Sequence, residues 1–332
     1  MSSMLKGIHH VTAITSDAKK IYEFYTYILG MRLVKKNVNQ DDLTSFHLFF
    51  ADDRGRAGTD ITFFDFKGIS QFRDGTDTIS MTTFRVKNDE SIKYWIKRFN
   101  HYNVEYEEPM MLFGKQFLKF KDFDGQQYAL VSDEFDQGVA AGEPWYNGPV
   151  PNEFAIIGLG PIFLRVSNFN LMDAVLNKVM MMENVSTELN FHLYEMGEGG
   201  NGASVIVEDE PNLPTAFQGF GGVHHVAFRS EELEDWAERL DLMNIMHSGL
   251  IDRFYFKSLY FRVYPNILFE LATDGPGFID DQETYETLGE TLTLPPHLRH
   301  KREYIEKVLD DFDTKRSHLN LEKEYFDGEK GT

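Results

Sequence analysis

Cysteine is absent from all 332 residues. That excludes a disulfide framework, a thiolate metal site and a cysteine nucleophile. Basic residues are scarce beside acidic ones, 33 Lys and Arg against 53 Asp and Glu, giving a formal net charge of −20. Little would neutralise phosphates, so neither nucleic acid nor an anionic membrane is an expected partner. No apolar run is long enough to cross a bilayer, and the opening MSSMLKGIHH lacks the apolar stretch of a signal peptide. The expected location is the cytoplasm. Disorder is not expected either, because 42% hydrophobic and 14% aromatic residues can build packed cores. The length suggests about two domains.

What is present is a repeat. Gly7-Ile8-His9-His10-Val11 returns as Gly222-Val223-His224-His225-Val226. An acid follows each copy, Asp17 and Glu232, in the place where a helix would start and favour negative charge. Each copy opens a unit of strand, helix and further strands, and the pattern occurs four times. The first strands are 8–14, 79–86, 162–166 and 226–228. Apolar stripes at helical spacing follow: Ile21, Phe24, Tyr25, Ile28; Ile92, Trp95, Ile96, Phe99; Met172, Val175, Leu176, Val179; and Leu233, Trp236, Ala237, Leu240. β-rich runs close each unit at 46–50 and 61–64, 117–120 and 128–131, 191–194 and 204–207, and 258–263 and 267–271. The expected fold is α+β: four βαβββ units forming two paired, cup-shaped mixed sheets, with a C-terminal helical extension. Residues 1–137 hold the first pair of units, 138–154 a Gly/Pro-rich linker, 155–278 the second pair and 279–332 the extension. Leu294-Pro295-Pro296 should open a charged helix over 297–309, with a frayed tail beyond it.

Aligning the units exposes a ligand set. The position of His10 is occupied by Met81, Pro161 and His225 in the other units. Glu270 sits within the apolar run Ile267-Leu268-Phe269-Glu270-Leu271-Ala272, where a charge needs a partner or a metal; its counterpart in unit two is Ala129. His10, His225 and Glu270 form a 2-His-1-carboxylate set, the triad of non-haem Fe(II) oxygenases, which leaves metal positions open. One ion can bind all three only if units one and four share a sheet, leaving units two and three as its twin. The blander reading is that each His pair is one packed ring and one exposed ring.

These units resemble the vicinal-oxygen-chelate superfamily of glyoxalases, bleomycin-resistance proteins and extradiol dioxygenases. His9-His10-Val11-Thr12-Ala13-Ile14, Pro144-Trp145, Asp252-Arg253, Tyr255-Phe256, Ser258-Leu259-Tyr260-Phe261-Arg262, Leu268-Phe269-Glu270-Leu271-Ala272-Thr273-Asp274-Gly275-Pro276 and Leu294-Pro295-Pro296 are similar to ring-cleaving dioxygenases that act on hydroquinones. The resemblance implies a non-haem Fe(II) enzyme of aromatic catabolism (Mn(II) being the alternative metal) that takes a small aromatic diol and O2. By the same resemblance His224, Tyr260 and Arg253 are catalytic, while Thr12 and His9 contact the substrate. A homo-oligomer is compatible with it.

One element of that assignment follows from register alone. A three-residue hairpin at Tyr264-Pro265-Asn266 would pair Val263 with Ile267 and set Tyr260 opposite Glu270. His9 and His224, in regular strands, would face away from the ligands; their roles need a local distortion. The chain departs from the family at Val263-Tyr264-Pro265-Asn266, where a Gly-rich turn is usual, and at His297 and His300. Three other readings share the scaffold: a catechol dioxygenase, a glyoxalase-like isomerase or lyase, and a metal-free binding protein. The isomerase would normally use a fourth protein ligand, which Ala129 and Pro161 do not supply.

Overall fold

The computed structural model describes residues 5–280 and 282–326. Unit one contains β1 (Ile8–Ile14), α1 (Ala18–Glu23), β2 (Arg32–Val38), β3 (Phe46–Ala51) and β4 (Asp60–Phe64). Unit two contains β5 (Thr78–Val86), α2 (Asp89–Tyr102), β6 (Met110–Leu112), β7 (Lys115–Lys121) and β8 (Gln127–Ser132). A short strand β9 (Ile156–Leu159) precedes unit three, which has β10 (Ile162–Val166), α3 (Phe169–Ala174), β11 (Glu183–Glu188), β12 (Phe191–Glu195) and β13 (Ser204–Asp209). Unit four has β14 (Gly222–Arg229), α4 (Leu233–Leu242), β15 (His247–Asp252), β16 (Lys257–Tyr264) and β17 (Ile267–Ala272).

The helices start where their caps dictate. The Asp17 carboxylate accepts from the Lys20 amide, Asn88 caps α2 through the Ser91 amide, and Asn168 caps α3 through the Leu171 amide. Glu232 stands at the start of α4 but makes no capping hydrogen bond. Trp95 and Trp236 hold the same place in the apolar stripes of α2 and α4, fully buried. Their indole N–H groups donate to the Phe154 carbonyl and the Ser230 hydroxyl, so neither buries an unpaired donor. In units one and three the helical stripe does not stay α-helical. It widens into π-turns at Phe24–Ile28 and Val175–Val179, which leave Ile28 only half-buried beside a fully buried Tyr25.

Two mixed sheets result. The first runs β15-β16-β17-β14-β1-β4-β3-β2 and joins units four and one; the second runs β11-β12-β13-β10-β5-β8-β7-β6 and joins units three and two. In each unit the first strand lies parallel to the last: β1 with β4, β5 with β8, β10 with β13 and β14 with β17. The two units of each sheet join where β1 meets β14 and β5 meets β10, both antiparallel. Strand β9, absent from the sequence reading, adds to β5 through Phe84–Leu159 and Val86–Ile156.

Edge strand β2 is buried along its whole length because residues beyond β17 cover it. Lys35, on β2, has no exposed surface; its ammonium donates to Glu283 at 2.9 Å and lies 3.5 Å from Asp280. The extension differs from the single helix expected over 297–309. A 3₁₀ turn spans Pro296–Lys301 and only Arg302–Val308 is α-helical, labelled α5. The expected fraying is also corrected for residues 310–326; 327–332 lie outside the described residues. Arg316 is buried and donates to the Leu33 and Leu288 carbonyls. Further on, Glu324 reaches back to α2. Its carboxylate accepts from Tyr102 at 2.7 Å and pairs with buried Arg98 at 2.6 Å. A buried guanidinium needs acceptors, and Arg98 takes the Ile28 and Tyr27 carbonyls as well. No helix among the described residues is long and apolar enough to cross a membrane.

Candidate metal centre

Three adjacent strands of the first sheet, β1, β14 and β17, carry His10, His225 and Glu270. Register brings them together: Thr12 pairs with His225, Ala227 with Glu270, and Glu270 with Tyr260 on β16. Each histidine pair lies at an irregularity of the ladder. The β1–β14 pairing shifts between Ile8 and His10, and again where Thr12–His225 gives way to Ala13–Val223. His9 and His224 are therefore the unpaired residues of two bulges, a device that re-aims side chains. This is the distortion needed for neighbouring imidazoles to work together.

The three donor atoms face one point. His10 Nε2 lies 3.2 Å from Glu270 Oε2, His225 Nε2 lies 2.8 Å from it, and the two Nε2 atoms are 3.4 Å apart. With metal–ligand bonds of about 2.1 Å, three donors on one face of an octahedron would be about 3.0 Å apart. The side chains are buried, Glu270 completely, and neither Glu270 oxygen has a partner at hydrogen-bonding geometry. Isolated, such a carboxylate would carry a desolvation cost of several kcal/mol. The donor set and the orphaned oxygens fit a divalent cation. Burial pushes the Glu270 carboxyl up, but His10 and His225 outweigh it and hold it well below the usual carboxylate range. Burial lowers His225, with Glu270 partly offsetting it.

Behind each ligand stands its sequence neighbour. His10 Nδ1 and His9 Nδ1 are 2.8 Å apart, as are His225 Nδ1 and His224 Nδ1. If His10 and His225 offer Nε2 lone pairs to a cation, their Nδ1 atoms carry the protons and the neighbours accept. His9 then holds its own proton on Nε2, 3.0 Å from the Thr273 carbonyl, so the chain of donors closes on backbone. Burial lowers both His9 and His224 to about 3, which keeps these rings neutral.

The triad opens into a cavity of about 330 Å³. His10, Thr12, His224, His225, Arg253 and Tyr260 line it with Phe49, Phe64 and Phe256, whereas His9 lies behind His10 rather than on the wall. Tyr260 packs edge-on against His225 at 5.6 Å, and burial raises its phenol so that it stays protonated. The Arg253 guanidinium lies 5.3 Å from the Tyr260 ring centre and pairs with Asp41 on the β2–β3 loop at 3.1 Å. The sequence reading missed His47, which lies on β3 and also lines the cavity. Alternation along Phe46-His47-Leu48-Phe49-Phe50 was its available signal, since it places His47 and Phe49 on one face. A larger cleft of about 1140 Å³ at the start of β1 holds none of the triad. Its Arg56, Arg85 and Arg229 are already paired with Asp52, Asp133 and Asp274.

The sequence model of the Glyoxalase/Bleomycin resistance protein/Dioxygenase superfamily matches residues 7–130. MhqA of Bacillus subtilis (strain 168), provisionally named a ring-cleaving dioxygenase, is 41% identical over 92% of this chain and 98% of its own length. The chlorohydroquinone/hydroquinone 1,2-dioxygenase of Sphingobium indicum is 26% identical over 92% of this chain and 97% of its own. A crystal structure from Bacillus subtilis, also provisionally named a dioxygenase, superposes with a TM-score of 0.85 at 34% identity, covering 95% of this chain and 99% of that one. Glyoxalase I from Zea mays shares the fold, with a TM-score of 0.61 at 14% identity, over 81% of this chain and 92% of that one.

Proposed function

We propose that this chain, which belongs to the Glyoxalase/Bleomycin resistance protein/Dioxygenase superfamily as one of its ring-cleaving dioxygenases, opens hydroquinone-type aromatic diols at Fe(II) held by His10, His225 and Glu270. The observation that carries the reading is the buried Glu270 carboxylate, whose two oxygens lack hydrogen-bond partners while two histidine nitrogens converge on the same point. Bound there, ferrous iron would supply Lewis acidity toward a phenolic oxygen and open positions that place O2 beside the substrate.

The remaining work falls to the chain's own side chains. His9 and His224 orient the ligand rings through their Nδ1 atoms. His224 faces the cavity, and its Nε2–H is the hydrogen-bond donor it offers to a substrate oxygen. Tyr260 stands opposite Glu270 as a protonated phenol and acts as a proton donor. Arg253 places a fixed positive charge above Tyr260 and offsets negative charge that develops on the ring oxygens. Thr12 offers its hydroxyl two residues beyond His10 on the same strand face. Phe49, Phe64 and Phe256 exclude water and hold a flat ring. The product of this chemistry is a muconic-semialdehyde-type acid.

The test is oxygen uptake by anaerobically purified, Fe(II)-loaded protein given hydroquinone and catechol side by side. Oxygen-dependent opening of hydroquinone in preference to catechol is the expected result. Faster opening of catechol would retain the triad and replace the substrate. Anaerobic turnover of a thiol adduct with Ni(II) or Zn(II) would replace the reaction class with the isomerase.

A further inference from the structure

One polar group of the cavity has no part in the chemistry above. His47 Nε2 lies 2.9 Å from the Thr62 hydroxyl, which lies 2.8 Å from the Thr12 hydroxyl. The three side chains form a row across β3, β4 and β1. Thr12 and Thr62 are fully buried, so this row is not wetted along its length. One end, Thr12, is next to the triad. The other end is His47 Nδ1, which has no hydrogen-bond partner among the described residues although His47 lines the cavity. The imidazole is held between the rings of Phe49 and Phe64, with centroids at 4.0 and 4.4 Å. An imidazole fixed at one nitrogen, flanked by two aromatic rings and free at its second nitrogen is set to bind a ligand.

Position selects the ligand. In the sheet order the triad occupies β1, β14 and β17, whereas β4 and β3 lie on the other side of β1. The cavity therefore runs from the triad to His47. A para-diol carries its two oxygens at opposite ends of a flat ring; an ortho-diol carries them side by side. A hydroxyl both donates and accepts, so it matches Nδ1 in either tautomer. We propose that His47 binds the diol hydroxyl remote from the metal and thereby selects para- over ortho-diols, with Thr62 acting as a positioning residue that holds the His47 ring in place through Nε2. This inference rests on the hydroquinone reading above.

The test measures anaerobic binding to the Fe(II)-loaded protein of hydroquinone and of 4-methylphenol, in which a methyl replaces the remote hydroxyl. A site that hydrogen-bonds the remote hydroxyl should favour hydroquinone by about ten- to a hundredfold in the unaltered protein. His47→Phe keeps an aromatic ring between Phe49 and Phe64 but removes both nitrogens. It should bring the ratio to about one by weakening hydroquinone alone, with metal content and 4-methylphenol affinity unchanged. His47→Gln should restore part of the ratio, and Thr62→Val should reduce it by a smaller factor. An undiminished ratio in His47→Phe overturns the proposal while hydroquinone turnover by the unaltered protein leaves the function standing. If His47→Phe does not fold, an undiminished ratio in Thr62→Val and His47→Gln overturns it equally. Failure of the unaltered Fe(II) protein to bind or open hydroquinone overturns both readings.

Discussion

The two sheets are built from the same unit and differ in what fills their concave faces. In the first, Glu270 pairs with Ala227, two residues past His225. In the second, Ala129 pairs with Thr83, two residues past Met81, the counterpart of His10. The backbone frame is thus retained at both places while the side chains diverge. Met81 and Ala129 pack with Leu112, Phe117, Val131, Phe163 and Ile206 into an apolar cluster. Where the first sheet holds a buried, orphaned carboxylate, the second holds a methyl group. The frame determines where ligands can stand; a few side chains decide whether a metal centre or a core forms there.

The largest expected effect comes from making the first cup resemble the second. Glu270→Ala should abolish oxygen uptake with hydroquinone at any Fe(II) concentration that sustains the unaltered protein. Retained uptake would separate activity from the triad. Tyr260→Phe should lower the rate constant for ring opening by about 10²–10⁴-fold, the range of a lost general acid, and leave metal content intact. A parallel loss of metal would instead make Tyr260 a structural support of Glu270.

The reciprocal change belongs to the second cup. Phe163→Ala should cost about 3–5 kcal/mol of stability in urea titrations, because it leaves a cavity in a filled core. It should leave iron stoichiometry unchanged, and altered metal binding would show that the cups are coupled. Glu283→Ala should cost about 3–5 kcal/mol by stranding the buried Lys35 ammonium, unless Asp280 moves in to replace it. Its further readout is a weaker hydroquinone affinity. The extension also bonds Tyr255, a cavity wall residue, through Thr293.

The smallest effect concerns pH. Asp122, in the turn before β8, accepts from the Asp124 and Gln126 amides and the Tyr128 hydroxyl. Burial pushes its carboxyl up to about 7, with the Tyr128 hydrogen bond partly offsetting the rise. The folded state therefore binds this proton more tightly than the unfolded chain, whose carboxyl titrates near 4. Stability from this group is complete below about pH 4 and declines as pH rises to about 7. Asp122→Asn should flatten the fall in urea midpoint between pH 5 and pH 7; an unchanged slope would assign it to another group.

The triad was legible because duplication supplied its own control. A His pair in one strand is ambiguous, but the same pair in units one and four, set against Met81 and Pro161, singles out His10 and His225. Glu270 stood out as a charge in an apolar run. Tyr260 was placed opposite Glu270 by an argument whose turn was different in detail. Tyr264, not Val263, pairs with Ile267, and an irregularity between Phe261 and Tyr264 restores the register. A bulge depends on how neighbouring strands pack, so local sequence does not reveal it. The same holds for the bulges that turn His9 and His224 toward their neighbours. His47 escaped notice because its partners, Thr62 and Thr12, come from strands that meet only in the folded sheet. The tail escaped notice for a related reason: its acidic sequence reads as solvated until buried Arg98 appears beside Glu324.

The central claim is one metal ion per chain, bound by one side chain from unit one and two from unit four. Its most direct test is anaerobic metal stoichiometry of the unaltered protein beside His10→Ala, His225→Ala and Glu270→Ala, each shown to be folded by circular dichroism. The account predicts about one Fe(II) per chain for the unaltered protein and a large loss in all three variants. Full occupancy in folded Glu270→Ala would contradict it.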